Sequence, residues 1–302
     1  MNDQSNKSSS LMFKDSLMSA DDALAFLMDS AVASNQTETS SLDDSIGRIL
    51  AIDIHSKINV PGFDNSAMDG YTIALDENNT SKTNQSFDVV DRITAGSIGN
   101  ELKRGNAARI FTGAPIPKGA NTVVMQEECQ TSDDGSQITI KRAVELNENI
   151  RPTGNDILKD DVILTTGKKI EPQDISLAAS VGIGELRVFK RLKVGVFFTG
   201  DELIEPGNSL SPGKIYNSNR YALVALLNKA GCDVINLGNI KDNLDSTCVA
   251  LESLSSECDL IMTTGGVSVG EEDHVKPAVE KLGSLNLWKI KMKPGKPLAY
   301  GQ

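Results

Sequence analysis

An apolar run at 260–263 empties into Gly265, Gly266, Ser268 and Gly270, and then into Glu271, Glu272 and Asp273. A strand that ends in closely spaced glycines can turn several backbone N–H groups toward one anion, and a helix starting after it adds its positive end. Each glycine costs roughly 0.5–1 kcal/mol of chain entropy, which a ligand or a special turn must justify. A Gly-Gly pair alone could be a tight strand-to-helix connection. The serine, the third glycine and the acids favour binding of a small anionic ligand.

Acids recur after two more apolar runs: Asp201 and Glu202 beyond 192–198, and Asp242 beyond 234–237. Acids gathered at a phosphate site point to Mg²⁺, which takes oxygen ligands and offsets phosphoryl charge. Helix N-termini also favour acids with no metal present. Recurrence at three strand ends selects Glu202, Asp242 and Asp273 as the expected metal ligands. Further on, alternation puts Lys289, Lys291 and Lys293 on one face of an expected strand, with Lys296 in the turn beyond. Lysines often blunt a sheet edge. Beside an anion loop in an acidic chain, oxyanion capture is the stronger reading.

A second concentration lies at 61–71, where Asp64, Asn65, Ser66 and Asp69 stand among turn formers. They could bind a ligand or close a tight turn through side-chain hydrogen bonds. Thr112 is similarly ambiguous, and Arg151 with Asp156 could be a structural ion pair. His55 and His274 are too few and too scattered for a histidine metal site. The four cysteines show no C-x-x-C pair, which fits a reducing cytoplasm.

These candidates need elements to hold them. With 302 residues the chain suits two or three domains. Its net charge of −11 weighs against a nucleic-acid surface. The polar first ten residues hold no signal-peptide core, and no apolar run reaches membrane-spanning length. Ser19 and Asp22 form a capping pattern before a helix, and Leu42, Ile46, Ile49 and Leu50 line up as a second helical face. Strand-like residues follow at 52–60. Short β-branched runs at 88–93, 108–111, 122–125 and 137–141 predict a small all-β module over 60–150. A helix is expected to begin at Pro172 and stop at Gly182. Beyond Arg191, apolar runs at 192–198, 234–237, 260–263 and 287–290 alternate with helices near 220–230, 244–255 and 275–282. That pattern predicts a parallel sheet covered by helices, with ligands at the carboxyl ends of its strands.

The segment 61–71, reading PGFDNSAMDGY, resembles the signature of the MoeA/gephyrin E-domain family, the molybdopterin molybdenumtransferases. The runs at 111–115, 124–127, 149–151, 198–202, 264–270 and 293–297 match that family in order and spacing. The resemblance implies an α/β multi-domain protein: a helical or mixed dimerisation domain from 1–59 and 151–190, a β module at 60–150, and a MogA-like α/β domain at 191–302. It implies a Mg²⁺-dependent enzyme that takes adenylylated molybdopterin and molybdate and releases AMP. It also implies a cytoplasmic homodimer, its site shared between subunits, with a molybdopterin adenylyltransferase as a further partner.

Carried over by position, the family's acids fall on Asp69, Asp156, Glu202, Asp242 and Asp273. Its substrate positions fall on Thr112, Arg151, Gly265, Gly266, Ser268, Gly270 and Lys289, and its molybdate positions on Lys293, Lys296 and Pro297. The family runs on past Pro297 into a further β domain, so a fragment with weak insertion activity is the expectation. A molybdopterin-binding scaffold without catalysis is the alternative. MogA-like adenylyltransferases and CinA-type hydrolases would lack the 61–71 segment.

Overall fold

The computed structural model describes residues 17–76, 83–266, 273–292 and 297–302. Its chain divides into two units, one formed by Thr39–Val188 and the other by the residues before it together with Phe189–Gln302.

In the first unit the β-branched runs form one six-stranded sheet. Its order is Thr122–Met125, Gly70–Ile73, Asn106–Ile110, Gln85–Ile93, Gln137–Ile140 and Cys129–Thr131. Only Gln85–Ile93 and Asn106–Ile110 run parallel to each other; the other pairings are antiparallel. Neighbouring residues on a strand serve opposite faces. Ala107 and Val124 therefore pack with Ile73, Phe87, Ile138 and Ile140, while Ala108 and Val123 pack with Ile93, Leu102 and Ile110. Both faces are covered.

A separate core joins Leu50 and Ile54 to Leu164, Ile170, Ala178, Leu186 and Val188. Its helix, Pro172–Ser180, begins with proline at the first position, as the sequence predicts, and a reciprocal capping box between Glu171 and Asp174 reinforces that start. The expected helix through Leu42 and Leu50 is absent. Gly47 takes a φ of +73° and donates to Ile170, and Leu50 donates to Lys168, so beyond short turns at Ser45 and Arg48 this backbone bonds across the chain. The expected strand at 52–60 shrinks to Ile54–His55.

In the second unit Asp233–Ile240, Lys193–Thr199 and Leu260–Thr264 form a parallel sheet in that order. Lys193–Thr199 is buried at every position after its first, as suits a central strand covered on both sides. Phe197 packs on Ala250, Leu254 and Val275; Val194, Val196 and Phe198 pack on Leu223, Val224 and Leu227. The helices Ser218–Ala230, Leu244–Ser255 and Val275–Leu282 lie where the sequence predicts. Asn217 and Asn243 cap the first two, accepting from Arg220 and Ser246. The fourth apolar run corrects an expectation. Leu285–Lys289 pairs antiparallel with Pro297–Gly301 in a sheet of its own, because the chain between them is too short for a parallel crossover.

The helix Ala20–Ser30 starts at Ser19, whose hydroxyl accepts from the Asp22 N–H at 3.0 Å. It sets Ala23 and Phe26 against Ile290, Leu298 and Tyr300. Among the described residues no helix is long and apolar enough to cross a membrane.

Candidate functional site

In the β-rich unit three loops are knitted around the segment 61–70. The pair Asn65–Ser66 runs antiparallel to Ile150–Arg151, which places Arg151 opposite Asn65. Gly154 and Asp156 donate to the carbonyls of Pro61 and Val60, each at 2.9 Å. Ser66 donates to Ala114 at 3.0 Å and accepts from Gly113 at 2.8 Å. Asp69, Thr112, Arg151 and Asp156, far apart in sequence, thus stand on one cluster of loops.

Asp69 Oδ1 accepts both the N–H and the hydroxyl of Thr112, each at 2.8 Å. Those two bonds, the N–H foremost, hold the Asp69 carboxyl below its ordinary range. Both Thr112 donors are committed there, so its hydroxyl oxygen meets a ligand only as an acceptor. Asp64 is clamped in the same way by Thr153, at 2.7 and 2.9 Å, a bond between distant loops rather than one within its own turn. Asn65 is 4% exposed and its Oδ1 has no partner among the described residues.

Arg151 and Asp156 do form an ion pair, at 2.5 Å, and both side chains are nearly half exposed. The Asn155 amide and then the Arg151 guanidinium hold the Asp156 carboxyl low. Exposed pairs contribute little to stability, so an arriving phosphate can take over the guanidinium at small cost.

At the carboxyl ends of the parallel strands Thr199 is the hub. It is 3% exposed, and its hydroxyl donates to Asp242 Oδ1 at 2.5 Å. A Cβ on Gly265 would stand 2.8 Å from the Thr199 carbonyl oxygen, and one on Gly266 would meet the Thr199 methyl at 3.1 Å. Only glycine permits that approach, and both residues have positive φ, +94° and +62°. Glu202 folds back toward Gly200, where a Cβ would lie 2.6 Å from its Oε2. Val275 donates to the Gly266 carbonyl at 3.1 Å and so ties the helix start just after Asp273 to the glycine turn.

Asp242, Gly265 and Gly266 are therefore brought together through Thr199, a residue that sequence reasoning left without a role. A hydroxyl closing an apolar run just before a glycine was the available signal. Among the described residues no three His, Cys, Asp or Glu side chains form a group that could hold a metal ion, so Glu202, Asp242 and Asp273 are not brought together as the expected three-carboxylate site. Lys289 ends its strand opposite Pro297. Ser268, Gly270, Glu271, Glu272, Lys293 and Lys296 lie outside the described residues.

Residues 18–182 match the family model of the MoeA N-terminal region (domain I and II), and residues 195–302 match that of a probable molybdopterin binding domain. The molybdopterin molybdenumtransferase of Haemophilus influenzae is 43% identical over 287 residues, covering 95% of this chain and 70% of that protein. The enzyme of the same name from Bacillus subtilis is 39% identical over 266 residues, 86% of this chain and 62% of that one. The crystal structure of the molybdopterin biosynthesis MoeA protein of Pyrococcus horikoshii OT3 aligns with a TM-score of 0.82 at 32% identity, covering 95% of this chain and 72% of that one. The chain spans between about three fifths and three quarters of the length of these relatives. Two adjoining family models, a 43% identical relative and a shared fold agree: the chain belongs to the MoeA family of molybdopterin molybdenumtransferases.

Proposed function

We propose that this chain acts in molybdenum cofactor biosynthesis by taking adenylylated molybdopterin and molybdate and releasing AMP as the metal oxyanion is transferred. The observation that carries this reading is the Thr199–Asp242 hydrogen bond beside the Gly265–Gly266 turn. It puts an acid beside a glycine turn at the carboxyl end of one sheet, the end where such folds take ligands.

Gly265 and Gly266, with Ser268 and Gly270, would receive the phosphate on backbone N–H groups. Lys289, Lys293 and Lys296, with Pro297, would receive molybdate. Arg151 would bind an anionic group of the substrate. Asp69 keeps Oδ2 outside its bonds to Thr112, so that oxygen can accept a hydrogen bond from the substrate. Asp156 would steady Arg151 until the substrate displaces it.

Glu202, Asp242 and Asp273 offer carboxylate oxygen, the donor type Mg²⁺ takes, but among the described residues the three do not form one metal-holding group, so the ion would be held by one or two of them together with substrate phosphate. When bound it would neutralise charge on the phosphoryl oxygens. The assembly in this reading is a cytoplasmic homodimer, supplied with substrate by a molybdopterin adenylyltransferase.

The test is AMP release from adenylylated molybdopterin by the purified chain, with and without Mg²⁺ and molybdate. Release that depends on both is expected. Calorimetric binding of the substrate with no AMP under any condition would replace this reading with that of a molybdopterin-binding scaffold.

A further inference from the structure

Arg109 sits in the strand Asn106–Ile110 with Tyr71 opposite on one side and Arg92 on the other. Its guanidinium donates to the Gly70 carbonyl at 3.0 Å and to the Gln126 side-chain oxygen. Its Cζ lies 4.8 Å from the Phe111 ring centre and 5.1 Å from that of Tyr71. Gly70 follows Asp69, and Phe111 precedes Thr112. Gln126 completes the circuit, since its N–H donates to the Asp69 carbonyl at 3.1 Å. Apart from Tyr71, one residue beyond Gly70, each group that Arg109 grips is therefore next to, or bonded to, one half of the Asp69–Thr112 pair.

We propose that Arg109 is the positioning residue of that pair, fixing the backbone on both sides so that the Asp69 carboxylate meets both Thr112 donors. Both acceptors of Arg109 are neutral oxygens, so the work is done by the planar fork and by stacking. A lysine reproduces neither. The bearing on turnover rests on the proposed role of Asp69; the geometric claim does not.

The same unit supplies controls. Asp64 receives the Thr153 N–H at 2.7 Å and Asp53 receives the Thr166 N–H at 2.7 Å, the same kind of bond at sites where none of the groups gripped by Arg109 lies. Amide hydrogen exchange of the full chain, read by NMR for wild type, Arg109→Met and Arg109→Lys, separates local loosening from general destabilisation. We expect Thr112 to exchange about tenfold faster in both variants, with Thr153 and Thr166 within about twofold of wild type. Equal acceleration at all three, or no change at Thr112, overturns the proposal. Arg109→Lys keeps a long cationic stem, so the comparison survives if Arg109→Met does not fold.

AMP release by Arg109→Lys should then show kcat lowered about tenfold with KM within about twofold. An unchanged kcat alongside faster Thr112 exchange would overturn positioning for catalysis. Failure of the wild type to release AMP would count against the proposed function alone, because the exchange result judges Arg109 independently.

Discussion

The Thr199 hydroxyl donates to Asp242 at 2.5 Å, joining the end of Lys193–Thr199 to the segment that leaves Asp233–Ile240. Thr199→Val keeps the shape of the buried side chain and removes the donor. A hydrogen bond to a charged group is worth about 1.5–3 kcal/mol, and the partial exposure of Asp242 places this one at the lower end. Urea denaturation should show Thr199→Val less stable by about 1–2 kcal/mol, with Thr199→Ser much closer to wild type. Equal midpoints for Val and wild type would mean that the bond contributes nothing.

Close approach at the glycine turn can be separated from backbone strain. Gly231, which ends the helix Ser218–Ala230, has a φ of +86° and open space where a Cβ would be. Gly265 has a similar φ of +94°, but its Cβ would press on the Thr199 carbonyl. Gly231→Ala should cost only the left-handed strain, about 1–2 kcal/mol. Gly265→Ala should cost that plus the displacement of a strand end, about 3 kcal/mol or more in all. Equal losses in denaturant would show that the turn relaxes freely.

The carboxyls of Asp69 and Asp156 both lie below the ordinary value of 3.8. Their native interactions are therefore fully present above that value and are lost as pH falls through the lowered ones. Thermal midpoints of wild type and Asp69→Asn should differ by a constant amount from neutral pH down to about 4, and converge below it. A gap that already narrows near pH 6 would contradict the lowered value. For the same reason neither carboxylate can account for an acid limb of activity near neutrality.

Features set by near neighbours in the chain were readable in advance. Ser19 with Asp22, and Pro172 with Gly182, bracket helices where local hydrogen bonding predicts them, and the apolar run into Thr199 reads as a buried parallel strand. Features set by distant partners were not. Leu42 to Leu50 carries a helical stripe, yet Gly47 and its bond to Ile170 commit that backbone elsewhere. The run ending at Lys289 looks like its three predecessors and differs only in its partner, Pro297–Gly301. Within the site, residue types left Asp69, Thr112, Arg151 and Asp156 open between turn, ion pair and ligand, and only the family resemblance singled them out. The roles of Thr199 and Arg109 depend on which strand lies beside which, and periodicity carries no such information.

Arg151 and Arg142 give opposite expectations for the same substitution. Arg142 is two-thirds buried and bonds to Glu128, Glu148 and the Ala143 carbonyl, so Arg142→Met strands two half-buried carboxylates. That should cost about 2–3 kcal/mol in denaturant and leave substrate affinity unchanged. Arg151 pairs with Asp156 with both side chains nearly half exposed, so water can replace the lost partner. Arg151→Met should leave the denaturation midpoint in place and weaken calorimetric binding of adenylylated molybdopterin at least about tenfold, the loss of one charge-assisted contact. Lost stability with intact binding would return Arg151 to a structural ion pair.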